Sequence, residues 1–122
     1  MLQEESLVKV ADNSGAKTIK VFRVLGGTRK RYARLGELVI ASVKVAEPRK
    51  AIKKKDIVKC LVVRTAAPIR RKDGSYIRFD NNAVVIVDDK KEPRSTRIFG
   101  PIPREIKEMK YDKVFSLAEE IV

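Results

Sequence analysis

The chain has 122 residues, and its 43% of apolar residues are enough for one domain with a single hydrophobic core. Its formal net charge of +12 is typical of a protein with a polyanionic partner. The start of the chain is acidic, no apolar stretch approaches the ~20 residues of a membrane span, and Cys60 is the single cysteine. These features argue against a secreted or membrane protein and exclude an internal disulfide, so we expect a soluble cytoplasmic protein.

The positive charge is concentrated in the middle of the chain. Residues 17–78 contain 19 Lys and Arg against 4 acidic residues, a net charge of +15, whereas the first 16 residues sum to −2 and those after Arg78 to −1. Such a segment repels itself unless an anionic partner neutralises it, and nucleic acid is the most common partner of this kind.

Four segments have the composition and alternation of β-strands: residues 17–25, 37–46, 57–66 and 83–88. The first ends at Gly26-Gly27, and the odd positions 39–45 of the second are all apolar. The third has apolar residues on both faces, so part of it should be covered on both sides. About five short strands at this spacing, with few helical patterns between them, favour a mainly β fold built on a small closed barrel.

Asp73-Gly74 predicts a hairpin with a two-residue turn in which both residues have positive φ. The flanking residues are too polar and basic for a core element, so this β-ribbon should project outward. A turn centred on Asp73-Gly74 gives the register Lys72 opposite Ser75, Arg71 opposite Tyr76 and Arg70 opposite Ile77.

The C-terminal part has a different pattern. Pro101 and Pro103 should end any strand, with Pro103 in the first turn of a short helix over residues 104–110. Asp112 is predicted to N-cap a second short helix over residues 113–119. The apolar face that would pack this helix on the barrel is Val114, Phe115, Leu117 and Ala118. We expect residues 1–122 to form one domain.

Three basic segments should carry the contacts to nucleic acid: residues 29–34, 49–55 and 70–72. A single charged run is usually a solvated loop, but three in one small barrel favour a binding surface. Arginine can grip phosphates with two hydrogen bonds or stack on bases, while lysine acts as a mobile point charge. The predicted contact residues are Lys17, Arg23, Arg29, Lys30, Arg31, Tyr32, Arg34, Arg49, Lys50, Lys53, Lys54, Lys55, Arg64, Arg70, Arg71, Lys72 and Arg78.

Aromatic residues are few, with three Tyr, four Phe and no Trp. Tyr32 and Tyr76 could stack on bases or pack against the barrel, and both interpretations stay open, whereas Phe79 is more typical of core packing. So few stacking side chains favour a protein that recognises RNA shape and backbone over one that binds single strands.

The sequence offers little for catalysis. It lacks His, its carboxylates form no clustered pair, and Cys60 lies in an apolar run typical of the core. Gly15-Ala16-Lys17-Thr18 resembles the end of a phosphate-binding loop, but position 10 is Val where the first glycine is required. We predict no enzymatic activity, no metal site and no cofactor. A free-standing single-strand binder and an RNA-processing enzyme remain alternatives.

A longer pattern resembles the family of the universal ribosomal protein fourteen of the large subunit, in its bacterial or organellar form. It consists of Leu61-Val62-Val63, nine residues, Asp73-Gly74, four residues, Phe79, then Asn82 and Val85-Ile86. Further matching stretches are Val10-Ala11-Asp12-Asn13-Ser14-Gly15-Ala16, Val24-Leu25-Gly26-Gly27, Arg31-Tyr32-Ala33 and Thr96-Arg97-Ile98-Phe99-Gly100-Pro101.

The resemblance implies a small closed five-stranded barrel with a projecting β-ribbon and two short C-terminal helices. It also implies binding to large-subunit ribosomal RNA, contacts with neighbouring large-subunit proteins, and bridges to small-subunit ribosomal RNA at the subunit interface. A ribosome-silencing factor can dock on the exposed face of this family. Mapped by motif, that face includes Thr96, Arg97 and Lys113.

Overall fold

A computed structural model describes residues 2–27 and 30–122 of the chain. Strands account for 45% of the residues and helices for 8%, which confirms the mainly β class. Within the described residues, the elements in chain order are β1 (Leu2–Gln3), β2 (Leu7–Val10), β3 (Ala16–Val24), β4 (Tyr32–Ala33), β5 (Leu38–Ala46), β6 (Ile57–Arg64), β7 (Ile69–Arg70), β8 (Tyr76–Ile77), β9 (Ala83–Val87), β10 (Ile98–Ile102), α1 (Glu105–Glu108), α2 (Asp112–Leu117) and β11 (Ala118–Ile121).

Five of these strands close into a barrel in the order β2-β3-β5-β6-β9. Neighbouring strands are antiparallel except β9 and β2, which run parallel where the barrel closes. The closed barrel and four of its strands are confirmed predictions. The fifth strand, β2, was not among the predicted segments, because four residues carry too little alternation to stand out.

Irregular pairing between β3 and β5 bends the barrel wall. The register shifts three times along this pair, and such bulges add the twist and curvature that a small barrel needs to close. One consequence is that Val45, predicted on the same apolar face as Val39, Ala41 and Val43, is 50% exposed. It lies opposite Thr18 at the first of these shifts, where strict alternation is interrupted.

The barrel interior holds the first of two hydrophobic clusters, formed by inward residues of all five strands. Leu2 and Ala33, paired across β1 and β4, pack into this cluster from one end of the barrel. Ile52 packs into it from the loop between β5 and β6, at the other end. Apolar side chains therefore pack into both ends of the barrel.

The second cluster lies outside the barrel, against β6 and β9. Outward residues such as Leu61 and Val85 pack there with Ile98, Ile102 and Ile106 of the C-terminal segment, by which we mean residues 98–122. This explains why β6 and β9 read as continuous apolar runs, since both of their faces are buried. The predicted coverage of the third segment on both sides is confirmed, and Val114 of α2 also packs in this cluster.

The β-ribbon forms a separate two-stranded sheet of β7 and β8, and its predicted register is wrong by one residue. Arg70 lies opposite Tyr76, and the N–H of Arg71 donates to the carbonyl of Ser75 over 2.8 Å. Within this turn, Gly74 is the one residue with a positive φ, of 88°. Its N–H donates to the carbonyl of Arg71 over 3.0 Å. The loop is thus a three-residue turn with a left-handed glycine, a common alternative to the two-residue turn.

The C-terminal segment contains two strands that were not predicted. β10 runs through Pro101 and pairs in parallel with β11. Proline fits because the pairing is interrupted between Ile98 and Pro101, and an irregular strand of a two-stranded sheet tolerates a missing N–H.

Both C-terminal helices are shorter than predicted. α1 ends at Glu108, because Lys110 adopts a left-handed φ of 70° that no helix can continue. The helix cap of α2 is Tyr111, so the predicted N-cap role of Asp112 is wrong: Asp112 is the first helical residue and makes no capping bond. α2 ends at Leu117, because Ala118 is extended and pairs with Ile98.

Candidate nucleic-acid interface

Strand direction sorts the basic segments to two ends of the barrel. Residues 30–37 follow β3, and residues 65–82 follow β6, so both lie at the end closed by Leu2. Residues 47–56 connect β5 to β6 at the opposite end, closed by Ile52. The three basic segments are therefore not neighbours in one loop cluster, and any common surface must run along the side of the barrel.

Such a surface exists on the outer side of β2, β3, β5 and β6. β3 borders neither β6 nor β9, so its outer face lies across the barrel from the C-terminal segment. In the part of the chain that the structure describes, one carboxylate pairs with this side: Glu5 Oε2 lies 2.7 Å from Lys20 Nζ. We call this set of outward cations the cationic wall: Lys9, Lys17, Lys20, Arg23, Lys44 and Lys59.

The loop over residues 49–55 is held rigidly at one end of the cationic wall. Ile52 is buried in the barrel core, and the N–H of Lys55 donates to the carbonyl of Val43 over 2.8 Å. Asp56 Oδ2 accepts the N–H of Lys53 over 2.9 Å. The loop therefore presents its cations on a fixed arch, and among the described residues none of them forms an ion pair: Arg49, Lys50, Lys53, Lys54 and Lys55 are all exposed.

At the other end, the segment after β3 presents Arg31, Tyr32 and Arg34 to solvent. Lys30 instead pairs with Glu37 and is only partly exposed. Glu37 also accepts the N–H of Arg34 over 2.8 Å, so it fixes the turn that carries the free arginines. Arg29, another predicted contact, lies outside the described residues.

The ribbon divides its three predicted cations between two roles. Arg71 turns inward: its Nε lies 2.9 Å from Glu105 Oε1, and its Nη2 donates to the carbonyl of Val122 over 2.8 Å. Its side chain is only 12% exposed, so this guanidinium fastens the ribbon to α1 instead of facing solvent. Arg70 is exposed. The side chain of Lys72 is also largely exposed, and its Nζ lies 3.8 Å from Glu108 Oε2.

Like Lys30 and Arg71, Arg64 is a predicted RNA contact whose side chain instead binds another part of the protein. Its Nη1 donates to the carbonyl of Phe99 over 3.3 Å, and burial lowers the pKa of its guanidinium. Gly100 adopts a φ of 79°, and a side chain there would collide with Arg64. The guanidinium thus joins β6 to β10, and together with Lys30 and Arg71 it leaves the set of free cations.

The remaining predicted cations within the described residues are exposed, including Lys17, Arg23 and Arg78. The prediction missed two exposed lysines of the cationic wall, Lys9 and Lys44. The signal for Lys9 was present, since it alternates with the buried Val8 in β2, but the strand itself was not recognised.

The aromatic residues next to these segments take different positions. Tyr32 is 46% exposed and Tyr76 is 68% exposed, so both rings are accessible from solvent. Phe79 is only partly buried, and its N–H donates to the carbonyl of Thr65 over 3.0 Å. Both tyrosine rings are therefore available to stack on bases.

A polar clamp in the turn between β2 and β3 positions the segment with Thr96 and Arg97. Asn13 Oδ1 accepts the N–H groups of Thr96 and Arg97 over 3.0 and 3.1 Å, and its Nδ2 donates to Thr96 Oγ1 over 2.8 Å. The buried Asp12 accepts the N–H of Ile86 over 2.9 Å, which ties the turn to β9. The turn motif therefore couples the barrel to the predicted interface residues.

Two ion pairs orient the side chains of Arg97 and Lys113. Arg97 Nη2 lies 3.3 Å from Glu119 Oε1, and its guanidinium lies 5.5 Å from the ring centre of Phe99. Lys113 Nζ lies 2.8 Å from Glu92 Oε1. Glu92 is held in turn by Asp88, which accepts its N–H over 3.0 Å; this contact is the main cause of the lowered pKa of Asp88.

Replacing Asn13 by alanine should loosen the 96–97 segment. Three hydrogen bonds are lost, and two of the donors are backbone groups, so we expect a cost of about 1–3 kcal/mol. Amide exchange of Thr96 and Arg97 should become faster, while the barrel amides stay protected. The matched control is Asn81→Ala at an exposed position, and equal exchange in both variants would contradict the clamp.

The single cysteine and the carboxylates of the described residues form no metal-binding cluster. Cys60 is fully buried, and burial raises the pKa of its thiol, so it packs the core as predicted. Residues 2–27 and 30–122 contain no group of three or more Cys, Asp and Glu side chains placed to hold a metal ion. None of the helices in these residues is long and apolar enough to cross a membrane.

A closed barrel covered on one side by a nearly neutral segment, and cationic on the other, has the electrostatic footprint of a nucleic-acid-binding protein. The family model described as Ribosomal protein L14p/L23e matches residues 1–122, and the chain therefore belongs to this family. It is a structural protein of the large ribosomal subunit, in a family that is structural and not enzymatic. The family inferred from the sequence motifs is confirmed.

Proposed function

We propose that the protein binds large-subunit ribosomal RNA with the cationic wall and the free cations at both of its ends. The observation that carries this proposal is the asymmetry of the barrel. The C-terminal segment covers Leu61 and Val63 of β6 and the outward residues of β9. The opposite side exposes Lys9, Lys17 and Lys44, and none of them has a paired carboxylate in the described residues. RNA phosphates would neutralise charges that repel one another in the free protein.

The two end segments extend this surface. The arch with Lys53 to Lys55 lies at one end of the cationic wall, and Arg31 and Arg34 lie at the other, so exposed cations are found at both ends of the barrel and along its side. About 6–10 phosphate contacts would make binding steeply salt-dependent, with a log–log slope of about −0.7 to −0.9 per contact. Neutralising packed RNA and fixing its helices is the work we assign to this side.

Retention on washed subunits tests this proposal. Large subunits purified on sucrose gradients and washed at rising salt should keep the protein until high salt removes it, because the attraction comes from many phosphates. Release at low salt would contradict the proposal. High affinity of the purified protein for short single-stranded oligonucleotides would favour the single-strand-binding alternative, and RNA turnover by a contaminant-free preparation would favour an enzyme.

We further propose that the C-terminal side faces the subunit interface. There it would contribute to bridges with small-subunit ribosomal RNA, contact neighbouring large-subunit proteins, and offer the docking face for a ribosome-silencing factor. What supports this is the fixed geometry of Arg97 and Lys113, each oriented by a carboxylate on an exposed surface away from the cationic wall.

Changes at Thr96, Arg97 or Lys113 should distinguish the function of the C-terminal side from that of the cationic wall. We expect alanine variants to enter large subunits normally but to reduce subunit joining or factor binding several-fold, because their contacts lie outside the cationic wall. Incorporation is measured by co-sedimentation with large subunits, and joining by the fraction of associated subunits on gradients. Equal loss of both activities would contradict this division.

A further inference from the structure

A cleft of about 1080 Å³ lies between the ribbon, α1 and the turn after β4. Leu35, Pro68, Ile69 and Met109 supply much of its lining, which is more apolar than polar. Its volume is slightly above the range of roughly 300–1,000 Å³ that is typical of small-molecule sites. The cleft is therefore large enough for a planar group of nucleotide size, and it lies at the same barrel end as Arg31 and Arg34.

The acidic and basic side chains around the cleft differ in whether they already have a binding partner. Glu105 pairs with Arg71, Glu108 lies within reach of Lys72, and Asp73 accepts the N–H and hydroxyl of Ser75 over 3.0 and 2.6 Å. Each of the three lining carboxylates thus already has a partner. Among the residues that the structure describes, three lining arginines form no ion pair: Arg34, Arg70 and Arg104.

We propose that this cleft receives one everted nucleotide of the bound RNA, with its base against the apolar lining and its phosphates on the three free arginines. The inference rests on the proposed RNA binding and adds a specific subsite to it. Charge complementarity favours this occupant, because a free guanidinium can bind a phosphate with two hydrogen bonds and can also stack on a base. The apolar floor replaces the base stacking that eversion removes.

A hairpin RNA with one bulged 2-aminopurine tests the subsite with the full chain. We expect the bulged RNA to bind about tenfold more tightly than the same hairpin fully paired, a difference of about 1.4 kcal/mol. The fluorescence of 2-aminopurine should rise on binding, because the lining side chains include no aromatic ring to quench it. Equal affinity for both hairpins would overturn the subsite while leaving RNA binding intact, and binding of neither hairpin would overturn the proposed function as well.

Two variants with the same charge change sharpen the test. Ala67→Glu places a carboxylate in the cleft and should remove the preference for the bulged hairpin, with little effect on the paired one. Ala51→Glu places it in the exposed basic loop and should weaken both hairpins equally. If Ala67→Glu fails to fold, Arg104→Ala at an exposed position serves in its place. A preserved preference in the cleft variant would overturn the inference.

Cross-linking in assembled large subunits distinguishes RNA from a protein occupant. Ala67→Cys and Ala51→Cys would each carry a short photoactivatable thiol label, and the buried Cys60 should stay unlabelled. The inference requires the label at residue 67 to cross-link to RNA at a defined nucleotide. A cross-link to protein at residue 67, or none while residue 51 reaches RNA, would overturn it.

Discussion

Replacing Arg71 by alanine should lower the free energy of unfolding by about 3 kcal/mol, because removing one partner of a mostly buried ion pair leaves the other uncompensated. The guanidinium holds both Glu105 and the carbonyl of Val122, so the ribbon and the C-terminal segment should loosen together. The same change at the neighbouring Arg70 removes an exposed side chain and should stay within about 0.5 kcal/mol. Urea unfolding of both variants measures the difference.

RNA binding should show the reverse order for these two residues. Arg70→Ala should weaken binding to large-subunit RNA, whereas Arg71→Ala should act on binding only through stability, and so less at low temperature. A double-mutant cycle with Glu105→Gln isolates the pair energy. Equal stability of the two single variants would contradict the structural role of Arg71, and a coupling energy near zero would contradict the pairing itself.

The second large effect concerns the basic arch. Changing Lys53, Lys54 and Lys55 together to glutamine should weaken RNA binding at low salt and reduce the salt slope by about 2–3, since each lost phosphate contact removes roughly 0.7–0.9. Stability should change little, because Ile52 and backbone bonds hold the loop. The slope comes from titrating large-subunit RNA at several salt concentrations.

A matched triple variant on the C-terminal side controls for net charge. Lys90, Lys107 and Lys110 are exposed and lie outside the cationic wall, so glutamine at these positions removes the same charge. We expect the control to keep nearly the wild-type salt slope for large-subunit RNA. If both triple variants lose the same slope, binding depends on total charge alone and the arch has no special role.

Much of the barrel could be predicted from local patterns. Alternation marks strands such as β5, and a run that is apolar at every position marks β9, because each reports directly which faces are buried. The surface role of the basic loops also follows from their composition. Ile52 shows the limit of this reasoning, since one apolar residue inside a charged loop carries no periodicity although it closes one end of the barrel.

What could not be predicted depends on contacts between distant residues. Arg71 and Arg70 look alike in the sequence, and only the position of Glu105, 34 residues away, decides which one turns inward. The same holds for Arg64, whose partner is a backbone carbonyl in β10. Local reasoning therefore overestimated the number of free cations at this end of the barrel.

The prediction for the C-terminal segment was wrong for a related reason. Proline argues against a regular strand, yet β10 tolerates Pro101 because its pairing with β11 is irregular. β11 itself has the composition Ala-Glu-Glu-Ile, which favours a helix, and it is extended because its backbone pairs with β10. Here tertiary pairing overrides intrinsic propensity.

Charge reversal on the two sides of the barrel tests the central claim most directly. One variant carries Lys9→Glu, Lys17→Glu and Lys44→Glu on the cationic wall; the other carries Lys90→Glu, Lys107→Glu and Lys110→Glu on the C-terminal side. Both change the net charge equally, and each is expressed with the wild-type protein so that incorporation into large subunits can be compared. We predict that the wall variant is excluded from large subunits while the C-terminal variant is incorporated. Normal incorporation of the wall variant, or loss of the other alone, would contradict the assignment of RNA binding to this side.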